Sequence, residues 1–237
     1  MDEFAVDRDL VMRDVRPDYN VAPTDPIFTV LARAGRDRPG AAPAARELRL
    51  LRWGLVPFWA RDRCGARPIN ARAETVAVKP LFRGAFARRR CLIPADGYYE
   101  WCALGGRERG RPRKQPYFIH RADGRGMAFA GIYELWRDRN LPDGDPAARL
   151  WTAAIITTSA AGDAGWVHDR MPMVVSPGHW DEWLDPATAG ADRLLRVITP
   201  AASDALAARP VSAAVNKVGN NGPELLTPLA ESAPGDA

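Results

Sequence analysis

Short apolar stretches bounded by turn residues recur along this chain, and where apolar and polar residues alternate the period of two marks a half-buried strand. Leu48 to Trp53 runs Leu-Arg-Leu-Leu-Arg-Trp, and Ile27 to Ala32 follows a Tyr-Asn-Val-Ala-Pro-Thr loop; both read as strands. Further strands are expected at Gln115 to Arg121 and Met127 to Trp136, around an Ala-Asp-Gly turn. Leu150 to Thr158, Met171 to Val175 and Pro210 to Val215 complete the set, and Cys91 to Trp101 reads as one more strand. Ile69 to Thr75 is short, polar and extended.

Helical spacing is scarcer. Lys79 to Arg90 reads as a helix with Pro80 near its start and Arg88-Arg89-Arg90 at its end. Ser176-Pro177 offers an N-cap and a first-turn proline to a helix carrying Trp180, Trp183 and Leu184 on one face. Ala160 to Val167 reads as a short helix or turn, and Ala191 to Val197 as another short helix. Residues 1–16 are loosely amphipathic through Phe4, Val6, Leu10 and Val11 but lack a capping residue, so the chain is expected to begin inside an element. Gly35 to Ala45 and Leu104 to Lys114 read as loops, the second with four arginines and a lysine; Gly54 to Trp59 is an apolar, aromatic turn. The pattern predicts an α+β fold: one domain over residues 1–228 with a curved, mostly antiparallel, barrel-like sheet and flanking helices, then a disordered tail over 229–237.

Composition narrows the class. The chain has 237 residues, 46% of them hydrophobic, which suffices for one sizeable core. It has no run of apolar residues long enough for a membrane span and no secretory signal pattern, so a cytoplasmic protein without membrane contact is expected. Cys64, Cys91 and Cys102 form neither a disulfide framework nor a zinc spacing, and no cofactor or metal is expected. A net charge of +4, carried mostly by arginine, is a weak pointer to phosphate.

Candidate chemistry concentrates in a few places. In Cys91-Leu-Ile-Pro-Ala-Asp-Gly-Tyr-Tyr-Glu-Trp101 the carboxylate of Glu100 sits among aromatics. It is either an acid/base group with a raised pKa or an outward residue paired with an arginine. His168, in Val167-His168-Asp169-Arg170-Met171-Pro172, is either an acid/base group or part of a capping turn. His120 and His179 read as surface and structural residues. Asn70 and Arg72, two apart on a strand, point the same way and suit an oxygen-rich group such as phosphate, or else satisfy a strand edge. Phe58 and Trp59 after Pro57 suit base stacking if exposed, and otherwise belong to a core.

Several segments resemble one family, in order. They are Tyr19-Asn20-Val21-Ala22-Pro23, Arg52-Trp53-Gly54-Leu55-Val56-Pro57, Ile69-Asn70-Ala71-Arg72-Ala73-Glu74-Thr75, Pro94-Ala95-Asp96-Gly97-Tyr98-Tyr99-Glu100-Trp101, His168-Asp169-Arg170-Met171-Pro172 and Val215-Asn216. The chain thereby resembles the SOS response-associated peptidase (SRAP) family, the abasic-site processing proteins. The resemblance implies an α+β domain with a basic cleft for single-stranded DNA containing abasic sites, acting as a monomer. It implies a cysteine directly after the initiator Met, whose amine and thiol condense with the ring-opened aldehyde to a thiazolidine crosslink. It further implies catalytic roles for Asn70, Glu100 and His168, and DNA contacts for Arg72, Phe58, Trp59, Thr157 and Asn20.

One departure stands out. The family begins Met-Cys-Gly-Arg, and this sequence begins Met1-Asp2-Glu3-Phe4. As written it is expected not to form the crosslink and to lack the nucleophile for self-processing. Either the start lies upstream, which the remaining motifs favour, or the chain is a non-catalytic single-strand-binding paralogue. A protease acting on other proteins is the least supported reading, because no serine or cysteine nucleophile stands beside a base.

Overall fold

In the stretch Pro26–Arg33 exposed and buried residues alternate at first and then give way to a continuous buried run, which suits a strand flanked on both sides. The computed structural model describes residues 2–12, 14–33, 44–63, 67–108, 111–159, 170–200 and 206–229. In chain order these form β1 (Arg8–Asp9), β2 (Pro26–Arg33), β3 (Ala45–Trp53), β4 (Asn70–Arg72), α1 (Ala73–Val76), α2 (Arg83–Arg88) and β5 (Arg90–Ala95). There follow β6 (Gly97–Glu108), β7 (Arg111–Arg121), β8 (Met127–Arg137), β9 (Arg149–Ser159), β10 (Arg170–Val175), α3 (Trp180–Leu184), α4 (Ala191–Val197), β11 (Ile198–Pro200) and β12 (Leu206–Pro210).

The main sheet closes on itself. β2 pairs antiparallel with β3 and β5, β5 with β8, and β8 with β9. β9 then returns to β3 in parallel through Arg52↔Thr152 and Trp53↔Ala153. The expected curved, mostly antiparallel, barrel-like α+β architecture is therefore present. The two faces of this ring bury different sets. Val30, Leu48, Leu92, Ile132, Ala154 and Ile156 share a cluster with Val76, Phe86, Trp183 and Leu194 of the helices. Ile27, Leu31, Leu51, Cys91, Ile93, Phe129, Tyr133 and Ala153 form the other. A ring this small has no room for helices inside, so the second set is the barrel interior. It is tight: a Cβ on Gly131 would lie 2.8 Å from both Cys91 Sγ and Ile93 Cδ1.

Arg90, only 2% exposed, locks the helices to the barrel. Its guanidinium donates to the carbonyls of Phe86 and Ala87 at the end of α2, and to those of Trp183, Asp185 and Thr188 around the end of α3. The Phe86, Ala87 and Trp183 carbonyls are among those that a helix end leaves without an intrahelical partner. Burial lowers the Arg90 pKa to about 10, which leaves it charged at neutral pH.

A second, three-stranded sheet, ordered β12-β7-β6, caps one barrel end. Tyr98 of β6 meets Phe129 edge-on at 6.0 Å, and Leu206 of β12 packs on the same interior cluster. Among the described residues no helix is long and apolar enough to cross a membrane.

Several expectations are corrected. Residues 1–16 are not a helix: Asp2–Phe4 is a 3₁₀ turn and β1 pairs with β3. Asp7 and Leu10 donate to the Arg46 and Leu48 carbonyls, so the open edge of β3 overrides a weak amphipathic pattern. The Lys79–Arg90 helix shortens to α2, because Arg90 already belongs to β5. Cys91 to Trp101 is two strands in two sheets, with a break at Asp96 between them. β7 and β8 do not pair with each other, since β7 lies between β6 and β12. Of the loop expected at Leu104 to Lys114, residues 104–108 continue β6 and residues 111–114 begin β7. Pro210 ends β12, and Ala213–Asn216 is a 3₁₀ turn capped by the Ser212 hydroxyl. The expected helix or turn at Ala160 to Val167, residues 35–43 of the expected loop, and residues 230–237 of the tail lie outside the described residues.

Candidate functional site

At the capped end of the barrel three strands lie side by side. β4 pairs parallel with β9 through Asn70↔Ile155 and Arg72↔Thr157, and β10 pairs antiparallel with β9 through Pro172↔Thr157 and Arg170↔Ser159. Paired residues of neighbouring strands share a face. Ile155 packs on the interior cluster, so Asn70, Arg72, Thr157 and Arg170 stand on the inner face, at the barrel mouth. Ala71, between the first two, points the other way and is fully buried against the helices. Asn70 and Arg72 are exposed. The preceding residue anchors them, since the Ile69 carbonyl accepts from Trp53 Nε1 at 2.9 Å and from the Ile155 N–H at 3.0 Å.

Thr157 is 6% exposed and engaged by Arg170, which donates to its carbonyl at 2.7 Å and to its Oγ1 at 3.3 Å. The same guanidinium pairs with Glu74 at 3.1 Å. Burial pulls the Glu74 carboxyl upward, but the hydrogen bond and charge of Arg170, with backbone N–H donors, outweigh it and leave the pKa lowered. Sequence reasoning missed this pair. Its signal was the acid two residues after Arg72 and the arginine two residues after His168.

Glu100 approaches the mouth from the other sheet. It lies two residues after Tyr98 on β6, hence on the same face, and Tyr98 packs on the interior cluster. The Tyr98 hydroxyl pKa is raised by burial first and by the negative charge of Glu100 second, so the two side chains are electrostatic neighbours. Glu100 is half-buried, opposite Tyr117, and accepts from the Trp101 N–H at 3.4 Å. Asn70, Arg72 and Thr157 on the main sheet therefore flank Ile155, and Glu100 on the second sheet flanks Tyr98, both of which pack on the interior cluster. An amide, guanidinium groups and a carboxylate around a concave end suit a phosphate-bearing ligand with a reacting carbonyl.

The other expected site residues lie elsewhere. Phe58 and Trp59 are 59% and 55% exposed, so neither is a core residue. Their turn folds along the outside of the barrel, where Val56 N–H donates to Thr152 Oγ1 and Trp136 Nε1 donates to the Ala60 carbonyl. Arg89 lies 5.9 Å from the Phe58 ring centroid. Trp136 pairs with Leu150 and Asn70 with Ile155, so this knuckle sits roughly 15 Å along β9 from Asn70. The Asn20 amide nitrogen contacts the carbonyls of Val215, Lys217 and Asn220 at 3.1 to 3.3 Å, stitching two loops together. His168 lies outside the described residues. His120 stacks on Phe118, and His179 hydrogen-bonds Ser176 Oγ at 2.8 Å in a helix-start turn. Cys91 is enclosed in the barrel and burial pushes its thiol pKa far up, which leaves it unreactive.

Comparison with known proteins identifies relatives of the whole chain. The chain is 38% identical over 227 residues to the abasic site processing protein YoqW of Bacillus subtilis, covering 95% of this chain and 92% of that one. It is 37% identical over 227 residues to the abasic site processing protein YoaM of the same organism, covering 95% and 91%. A crystal structure of a protein from Bacteroides thetaiotaomicron superposes with a TM-score of 0.67 at 27% identity, covering 78% of each chain. Residues 2–218 match the profile described as SOS response associated peptidase (SRAP), and the chain belongs to that family.

Proposed function

We propose that the barrel mouth binds single-stranded DNA at an abasic site and that Glu100 supplies the proton transfers for processing it. Supporting this reading above all, Asn70 and Glu100, from two separate sheets, each neighbour a residue packed on the same interior cluster, Ile155 and Tyr98. In this reading Asn70 orients the ring-opened sugar by hydrogen bonding. Glu100 protonates the ring oxygen as the ring opens and takes up the proton released in condensation. His168 assists proton transfer and reversal. Arg72 holds a flanking phosphate beside Thr157, and Phe58 and Trp59 stack on bases farther along the strand. The α-amine of an N-terminal cysteine adds to the aldehyde carbon, water leaves, and the thiol closes the thiazolidine ring. Amine and thiol must sit on one residue, and Cys64, Cys91 and Cys102 are internal. The covalent step therefore needs a residue that carries a free α-amine and a thiol together, and the test uses a form bearing an N-terminal cysteine ahead of this sequence.

The experiment is a denaturing gel with single-stranded DNA containing one abasic site. The form with the N-terminal cysteine shifts covalently, while its Cys→Ala variant and the present chain do not. A shift with the present chain overturns the assignment of the nucleophile, and no shift with any form overturns the function.

A further inference from the structure

Glu100 is held from behind. Its chain neighbours Tyr99 and Trp101 point to the opposite face of β6 from Glu100 and Tyr98. There they pack with Phe118, Val211, Val215 and Leu226. Each also gives its polar hydrogen to a partner distant in sequence. The Tyr99 hydroxyl donates to the Tyr19 carbonyl at 2.7 Å, and Trp101 Nε1 donates to Asn216 Oδ1 at 2.7 Å. At the start of the strand a Cβ on Gly97 would collide with the Phe118 ring, so β6 and β7 approach there as closely as glycine allows.

The two distant partners belong to one unit. The Tyr19 N–H donates to Asn221 Oδ1 at 2.7 Å. Asn20 Nδ2 contacts the carbonyls of Val215, Lys217 and Asn220, so both of its hydrogens are used within the unit. Asn220 Nδ2 donates to the Ala214 carbonyl at 2.9 Å, and the Ala214 N–H donates to Ser212 Oγ at 3.2 Å. Residues 19–20 and 212–221 thus form a bracket that grips β6 at the residues just before and just after Glu100. The gripping groups are amides, hydroxyls, an indole and the backbone, none of which titrates near neutral pH. The bracket therefore keeps its hold while a carboxyl in front of it gains or loses a proton.

We propose that Asn216 is a positioning residue for Glu100, acting through Trp101, and that Asn20 holds the loop that carries Asn216. This rests on the function proposed above, because it takes Glu100 as the group that moves protons. Proton transfer needs the carboxylate within hydrogen-bond reach of the reacting oxygen, and a displacement of about 1 Å costs up to about 100-fold in rate. Losing the Trp101–Asn216 bond frees β6 on one side of Glu100 alone, so the expected cost is smaller, about ten-fold. The bond lies at the surface, so the fold survives its loss.

The test pairs two measurements. One is the single-turnover rate of crosslinking to an abasic single strand, in the form bearing an N-terminal cysteine. The other is hydrogen–deuterium exchange of the full chain across residues 97–103. Asn216→Ala and Trp101→Phe are each expected to slow crosslinking about ten-fold and to speed exchange, with affinity for a reduced abasic strand kept within about two-fold. The double variant is no slower than either single one, because both remove the same bond. Asn216→Asp keeps the accepting oxygen and holds the rate within about two-fold of wild type. Placed on Glu100→Gln, Asn216→Ala adds nothing further. An unchanged rate or unchanged exchange in Asn216→Ala overturns the proposal, and so does equal slowing on the Glu100→Gln background. A loss of affinity in place of rate also overturns it and makes Asn216 a DNA contact. If Asn216→Ala melts early, Trp101→Phe, which keeps a ring in the cluster, supplies the same readings. If Glu100→Gln itself crosslinks at the full rate, the function proposed for Glu100 fails and the positioning role with it. Slowing by Glu100→Gln without slowing by Asn216→Ala fails the positioning role alone.

Discussion

Arg170 and Glu74 form an ion pair at 3.1 Å that ties α1 to the first residue of β10, beside the barrel mouth. The fold lowers the Glu74 pKa below its ordinary 4.5. A carboxyl with a depressed folded pKa contributes stability that is present above its unfolded pKa and lost as pH falls through the folded one. Glu74→Gln is therefore expected to lower Tm most near neutral pH, with the gap to wild type closing below about pH 4. The effect is small, since the Glu74 side chain is 45% exposed. Thermal melts across pH check this, and a gap independent of pH contradicts it.

Gly131 and Cys91 face each other inside the barrel with no room for another carbon. Gly131→Ala is expected to destabilise by about 1–3 kcal/mol through overpacking. Adding Cys91→Ala removes the sulfur and should restore part of the loss, a coupling that a double-mutant cycle measures by chemical denaturation. Strictly additive effects would show that the two positions are not in contact.

Phe58 and Trp59 are exposed, so replacing both by alanine should leave Tm nearly unchanged. If they stack on bases, affinity for single-stranded DNA falls by about 1–3 kcal/mol per lost contact, read by anisotropy titration. A large Tm loss with unchanged affinity would return both residues to a packing role.

Much of the fold was legible where alternation is local. β2, β3, β9 and β10 fall where the local sequence placed strands, and Trp180, Trp183 and Leu184 face the core as the helical spacing required. What failed depended on partners distant in sequence. β1 exists because β3 offers it an edge, and the break at Asp96 carries no apolar signal to distinguish it from a strand interior. At the site, the shared direction of Asn70 and Arg72 followed from their spacing. That Tyr98, two residues before Glu100, packs on the barrel interior did not, because it depends on how the second sheet caps the barrel. The Glu74–Arg170 pair joins residues 96 positions apart and was equally invisible.

The central claim is that Glu100, at the mouth shared with Asn70, carries the proton transfers of abasic-site processing. The measurement is the single-turnover rate of crosslinking on a denaturing gel, with Glu100→Gln placed in the form that bears the N-terminal cysteine. A rate lowered by about 100-fold, with equilibrium binding to the reduced abasic strand unchanged, is the predicted result. An unchanged rate contradicts the account.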